Sequence, residues 1–567
     1  MHEGGTVVAT WADIQSWKLS YVEEAEDLIE AEVREAREII AELEHAAKDI
    51  RSQGEAPDRM RQRLSEIQDK LDSRLNELTE YALATAELHG YVSRVVAIRE
   101  SAHEVAAELN YQIPEDGNVE NRGATREKPS LSEVLKYDDL RDCVSKAVKL
   151  ATEAEETVGP RYQALADGQY VLAEGRHSES AGLANDADPS WSPEEVSVWW
   201  ALLSESEREA LINKDPEKYG NLDGIDMASR ARANELVLLG PKDASGQHMP
   251  GAGLLGQAER DLAEAEEALN NATKTSVGSP KHLDDLIRKK NDAQDRVDDL
   301  RALREQMRDP EVTLVALQPG KPGENVRAAL AIGDVDNADH VATLVPGRTT
   351  NCRDSSADNV TYAQNLRRAA ARQGNIDPSK VATIAWMNYH APQSGPDART
   401  TTATLAREGA DPLRNFATGI RSWRSERGMD VHQSIIPHSY GSTTAGIAMR
   451  SIGKDVVDDF AYTGSPGAGV ASVGTLGVDK DHVWVSAIDH LDWVRGMGPD
   501  EDFGRNPEQL EGIGHLSGDV SGAEGYNPNY FGNPYGHHSM YFVEPRAGEE
   551  NLVLNDLGKV IADVKER

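Results

Sequence analysis

Cysteine is almost missing from this chain: Cys143 and Cys352 are the only two in 567 residues, and neither sits in a CxxC or other metal-type spacing. A disulfide framework and a cysteine-built zinc site are therefore not expected. Aromatic residues are scarce as well, at 5%, although a hydrophobic content of 39% suffices for a folded core. Much of the length then has little to bury and reads as solvated helix. Positive charge falls short by a wide margin, with 60 Lys and Arg against 97 Asp and Glu and a net charge of −37. Nucleic acid is not expected as a partner, because its phosphates need a basic face, and an anionic membrane surface is disfavoured for the same reason. Nowhere do about 18 apolar residues follow one another, so no transmembrane segment is expected. The opening stretch "MHEGGTVVATWADIQSWKLSYVEEAEDLIEAEV" has no basic segment leading into an apolar core, the pattern of a cleaved signal. A cytoplasmic location and export without a cleaved signal both stay open.

The length exceeds the roughly 250–300 residues at which single cores stop growing, so several units are expected. Residues 1–110 read as an acidic helical bundle or coiled coil. Within "AEDLIEAEVREAREIIAELEHAAKDI", Leu28, Ile29, Val33, Ile39, Ile40 and Leu43 recur near helical spacing among Glu and Arg. Residues 111–190 read as a linker and further helices, opening with the turn formers of "YQIPEDGNVENRGATREKPS". Residues 191–308 read as a Trp-rich helical segment plus a helical hairpin. Ser192 ahead of Pro193 and Glu195 predicts a capped helix start, and Trp199, Trp200, Leu203 and Leu211 supply its apolar face. The tryptophan pair reads as a docking element, with the α/β domain as its nearest apolar surface. "ERDLAEAEEALNNA" and "LDDLIRKKNDAQDRVDDLRALREQM", on either side of "TSVGSPK", form the hairpin. After Pro310 the runs "VTLVAL", "HVATLVPG", "VATIAWMNY", "QSIIPHS", "DDFAYTGSPG" and "HVWVSAI" alternate with helical patterns. That alternation predicts an α/β domain over 309–567, a mostly parallel sheet with helices on both faces, behind an all-α half.

The chemistry concentrates at "IIPHSYGSTTAG" (435–446). A serine acts as a nucleophile when a sharp strand-to-helix turn presents its hydroxyl beside a base and near backbone N–H groups. Ser439 meets the local pattern, and the competing reading is a serine that caps the following helix. Where the G-x-S-x-G pattern has its first glycine, this chain has Pro437, which fixes φ and removes a donor. In this class acid and histidine follow the serine in that order. Asp489 and Asp492 in "VWVSAIDHLDWV" end a strand, and His537 and His538 in "GNPYGHHSMYF" sit in a glycine-containing loop. The N–H of Tyr440 is the expected first oxyanion donor, and "LVPGRTTN" offers Gly347 and Arg348 for the second. His390 reads as a loop residue, "GDVDNAD" (333–339) as a turn rather than a calcium loop, and the Gly, Asn and Tyr-rich tract 504–536 as a lid or long surface loop.

The blocks "AIGDVDNADHVATLVPG", "AWMNYHAP", "HSYGSTTAG", "YTGSPGAGV" and "HHSMYF" resemble, in order, those of an actinobacterial α/β-hydrolase family of undefined substrate. Members often carry an upstream helical region with segments like "WWALLSESEREALI" and "NLDGI", and the resemblance covers most of residues 190–560. It implies a nucleophile at Ser439, an acid at Asp492 with Asp489 the alternate, and a histidine, in a His-Ser-x-Tyr pattern, at His538. The family motif has glycine where Pro437 stands.

The function expected is a serine esterase acting on a small-molecule or lipid ester, needing neither metal nor organic cofactor. The rival is a hydrolase-like scaffold whose N-terminal helices bind a helical protein partner. Those helices loosely resemble the WXG-type hairpins of type VII secretion, although "SWKLS" lacks the glycine.

Overall fold

The computed structural model describes residues 8–121, 129–168, 186–275, 280–393, 402–488, 492–528 and 537–564. Two compact units emerge: Met1–Glu127 with Leu140–Leu211, and Lys128–Asp139 with Ile212–Arg567.

The first unit is built from α1 (Trp11–Ile14), α2 (Leu19–Asp49), α3 (Glu55–Glu108), a two-residue pair β1 (Tyr111–Gln112) and β2 (Glu120–Asn121), most of α4 (Leu131–Ala166) and α5 (Pro193–Leu202). Antiparallel pairing joins β1 to β2. On α2 the buried stripe is Val22, Val33, Ala36 and Ile40. Leu28 and Ile39, expected on that face, are 70% and 38% exposed. A period of 3.6 places Val33, Ala36 and Ile40 on one line and turns Ile39 about 100° away from it. The capped start of α5 is present, with Ser192 accepting from Glu195 N, Glu195 reaching back and Pro193 in the first turn. Trp199 and Trp200 are fully buried. They belong to this helical unit, where α5 packs on α3. Docking on the α/β domain was expected, but α3 passes Gly90 against the Glu194 carboxylate, so close that a Cβ would stand 2.8 Å from it.

The boundary at Leu211/Ile212 falls inside α6 (Glu205–Lys214), and the second unit continues from its last turn through α7 (Pro216–Tyr219), α8 (Met227–Leu239), α9 (Gly253–Thr275) and α10 (Pro280–Gln306) to the sheet. Sequence texture put a boundary at 308/309. Packing does not, because Leu238, Val297, Leu300 and Leu303 share one core with Val312, Leu314 and Leu330. The remaining elements are β3 (Val312–Gln318), β4 (Arg327–Ile332), β5 (His340–Val345), α11 (Cys352–Gly374), β6 (Val381–Met387), α12 (Thr404–Glu426), β7 (His432–Pro437), α13 (Tyr440–Met449), β8 (Asp459–Thr463), β9 (Val483–Ser486), α14 (Asp500–Phe503), β10 (Gly514–His515) and α15 (Leu552–Ile561).

The eight strands β3 to β10 lie in the order β10-β9-β8-β7-β5-β6-β4-β3. Only β4 runs against the others, pairing antiparallel with β3 and β6, while β5, β6, β7, β8, β9 and β10 pair in parallel. Burial along β5, β6, β7 and β8 is near-continuous, as expected for strands covered on both faces. The fold is the mostly parallel α/β sheet, preceded by long helices, that the sequence predicts. In such sheets the loops at the carboxyl ends of the strands gather side chains into one crevice.

Candidate active site

β7 ends at Pro437 and α13 starts at Tyr440, so two residues make the whole turn. Ser439 takes φ 55° and ψ −131°, a left-handed conformation that costs a non-glycine residue about 1–3 kcal/mol. Neighbours on both sides hold it there. His438 N donates to Val345 O of β5 at 2.9 Å, and Ser439 N donates to Thr463 O of β8 at 3.1 Å. Pro437 has no N–H to carry the β7–β8 ladder onward, while its carbonyl accepts from the Thr463 hydroxyl at 2.8 Å. The Ser442 hydroxyl reaches the same carbonyl at 3.4 Å. Ser439 stands at the cap position of α13 yet makes no side-chain cap hydrogen bond, so its hydroxyl is not consumed by the helix end.

The loop after β5 lies directly against the serine. A Cβ on Gly347 would stand 2.5 Å from Ser439 Cβ and 2.8 Å from Tyr440 N, so only glycine allows this approach. Tyr389 Oη donates to Pro346 O at 2.7 Å and the Thr350 hydroxyl to Gly347 O at 2.7 Å, both bracing the loop. Among the described residues no acceptor takes the N–H of Tyr440 or of Arg348.

Asp492 and His538 meet. His538 Nδ1 donates to Asp492 Oδ1 at 2.9 Å, the Tyr541 hydroxyl donates to Oδ2 at 2.7 Å, and Val494 N adds a third donor at 3.0 Å. Burial pushes the Asp492 carboxyl up, but these hydrogen bonds and the charge of His538 outweigh it and hold the group below the usual carboxylate range. With Nδ1 committed to the acid, His538 Nε2 is left buried and without a hydrogen-bond partner among the described residues. No hydrogen bond joins it to Ser439. His537, the alternate histidine, packs against Tyr526 with ring centroids 5.3 Å apart. Asp489, the alternate acid, lies outside the described residues.

Three contributors carry no expectation from sequence. His438 is wedged beside His538, rings 4.4 Å apart, and its Nε2 donates to the His538 carbonyl at 2.6 Å. Burial first, and then the neighbouring His538, push its pKa down to about 3, so the ring stays neutral. Tyr541 clamps the acid from the last position of the His-Ser-x-Tyr pattern, the one signal that could have flagged it. Gly464 has φ 53°, and a Cβ there would stand 3.0 Å from both Asp492 Oδ2 and His538 Cε1. The "TGSPG" run marks that turn without saying what approaches it. None of these residues belongs to a metal-ligand grouping. Among the described residues the one such grouping is at the opposite ends of β7 and β8.

The alpha/beta hydrolase family matches residues 321–500. An uncharacterized protein of Mycobacterium tuberculosis is 30% identical over 370 residues, 62% of this chain and 54% of its own length. An uncharacterized protein of Mycobacterium bovis is 33% identical over 231 residues, 39% of this chain and 84% of its own. The chain thus spans about half the length of the first of these relatives and most of the second. No solved structure matches it.

Proposed function

The chain belongs to the alpha/beta hydrolase family, and on that premise we propose that it is a serine hydrolase cleaving ester bonds through an acyl-serine intermediate. One observation carries the reading: His538 is tied through Nδ1 to a buried carboxylate while Nε2 is buried and unpartnered. An imidazole so held presents Nε2 as the atom positioned to take a proton.

Ser439 Oγ attacks the ester carbonyl as His538 Nε2 takes its proton. Asp492 keeps the proton on Nδ1 and stabilises the imidazolium that forms. The N–H groups of Tyr440 and Arg348 receive the negative oxygen of the tetrahedral intermediate. His538 then protonates the departing alkoxide, and a water deprotonated by the same nitrogen releases the acid from Ser439. His438 fixes the main chain of the base. Trp493 and Met497, 66% and 63% exposed on the segment following Asp492, favour an ester with an apolar portion.

A second reading, a hydrolase fold kept as a scaffold while the N-terminal helices bind a protein partner, is favoured by the missing hydrogen bond between Ser439 and His538. Reaction with a fluorophosphonate probe and peptide mapping separates the two. Label on Ser439, p-nitrophenyl ester turnover and loss of both in Ser439→Ala are expected. A folded protein that neither labels nor turns over supports the scaffold.

A further inference from the structure

Four imidazole and carboxylate groups converge at the amino-terminal edge of the sheet. His432 and Asp459 are the first residues of β7 and β8, His482 immediately precedes β9, and Asp563 follows α15. β7 is six residues long, so at about 3.3 Å per residue roughly 20 Å separates this edge from Ser439. Asp459 is buried, and no Lys or Arg pairs with it among the described residues. Its Oδ1 is fixed by Trp484 Nε1 at 2.9 Å and by His482 Nδ1 at 3.1 Å. Its Oδ2 stands 2.9 Å from His432 Nε2, yet Nε2 has no hydrogen-bond partner. The contact is close in distance and wrong in direction for an N–H pointing at oxygen. Two donors held by one tetrahedral metal ion at roughly 2.0–2.2 Å stand about 3.3–3.6 Å apart, so this 2.9 Å pair has to open by about half an ångström to admit one. Asp563 completes the set, since its carboxylate oxygen and the two other ligand atoms all lie within 4.8 Å of one another. It sits at φ 50° just past α15, and its exposed side chain is free to turn inward.

We propose that His432, Asp459 and Asp563 form a binding site for a first-row divalent cation, with Zn²⁺ the ion the donors suit best. One imidazole and two carboxylates leave the fourth position of a tetrahedral ion for water. His482 and Trp484 serve as the outer partners that orient the buried carboxylate. The neighbouring carboxylates do not compete: Asp458 is held by Arg421 at 2.5 Å, and Asp339 by Lys380 at 3.2 Å. His340 lies tilted beside His432, ring centroids 5.7 Å apart. A bound ion would tie the starts of β7 and β8 to the end of α15, a clamp remote from the serine.

Chelator-treated full-length protein titrated with Zn²⁺ by calorimetry, with thermal melts alongside, tests this. One ion per chain and a melting temperature raised by several degrees are expected. Asp563→Asn and His432→Gln should each weaken binding at least about tenfold, while Ser439→Ala binds as the parent does. With Co²⁺ in place of Zn²⁺, the visible absorption should vanish in His432→Gln. Asp563 is exposed, so its variant decides the matter if the His432 variant does not fold. Absence of binding below millimolar Zn²⁺, or undiminished binding in Asp563→Asn, overturns the proposal.

Discussion

Asp492 accepts three hydrogen bonds in a buried position, and two of its donors separate its roles. Asp492→Asn keeps the shape but loses the charge that holds the proton on His538 Nδ1. Turnover should fall by about 10⁴, as in the reference triad, with little change in KM. Tyr541→Phe leaves the His538 contact and removes only the second donor. It should cost about 1–3 kcal/mol of stability, because Asp492 Oδ2 and Ile488 N both lose a partner. It should also move the acid limit. With a folded pKa below the ordinary carboxylate value of about 3.9, Asp492 contributes stability in full above that value and loses it as pH falls through the folded one. Removing the tyrosine donor raises the folded pKa, so acid unfolding of Tyr541→Phe should begin at higher pH. An unchanged unfolding midpoint in an acid titration followed by circular dichroism would count against the tyrosine as a clamp. Sequence named Ser439, Asp492 and His538 because the ordered blocks carry them. It had no means to find His438 or Gly464, whose importance is a matter of what stands against them from distant parts of the chain.

Among elements, the strands with β-branched residues were legible and the others were not. β3, β5, β6, β7, β8 and β9 lie within or beside expected runs. β4 is "RAALAI", whose alanines give no strand signal and take their place only by pairing, Ala331 with Thr313 on one side and with Ile384 on the other. β10 is two residues long and offers too little sequence to read. The elbow depends on two glycines of different kinds. Gly347→Ala drives a methyl into Ser439 Cβ and Tyr440 N, so it should lower kcat/KM on the order of 10²–10³, as loss of an oxyanion donor does. Gly446→Ala would place its Cβ 1.8 Å from Ala468 O, on the side of α13 that packs against the loop after β8. The helix must shift, and a stability loss of about 1–3 kcal/mol is expected from overpacking. Fluorophosphonate labelling rates beside urea midpoints distinguish them. Gly347→Ala should label slowly with a near-normal midpoint, and Gly446→Ala should show the larger midpoint loss. The reverse pattern would remove Gly347 from the oxyanion site.

At the scale of the whole molecule, residues 128–139 belong to the sheet-containing unit although the rest of α4 belongs to the helical one. Nothing in the composition of "KPSLSEVLKYDD" announces this, because the contacts are polar and reach more than 300 residues along the chain. Asp139 Oδ2 accepts from Ala471 N at 2.8 Å, and its other oxygen pairs with Arg450 at 3.1 Å. Ser132 Oγ accepts from Arg505 at 2.8 Å, and Lys136 pairs with Glu511 at 3.3 Å. Ala471 ends the loop whose other end is Gly464, against Asp492 and His538. That loop is tied to α13 by the Thr443 hydroxyl donating to Gly467 O at 2.9 Å. Asp139 therefore anchors the far end of a segment whose near end frames the base. Asp139→Ala removes a charged acceptor and leaves Ala471 N and Arg450 without it, a loss of about 1.5–3 kcal/mol for a hydrogen bond to a charged group. Asp139→Asn keeps an acceptor for Ala471 N and should recover part of it. In urea titrations of the full chain the order of midpoints should be parent, then Asn, then Ala. Ester turnover should fall only where the loop loosens, in the Ala variant. Equal midpoints for parent and Asp139→Ala would mean that the start of α4 lies on the sheet unit without holding it.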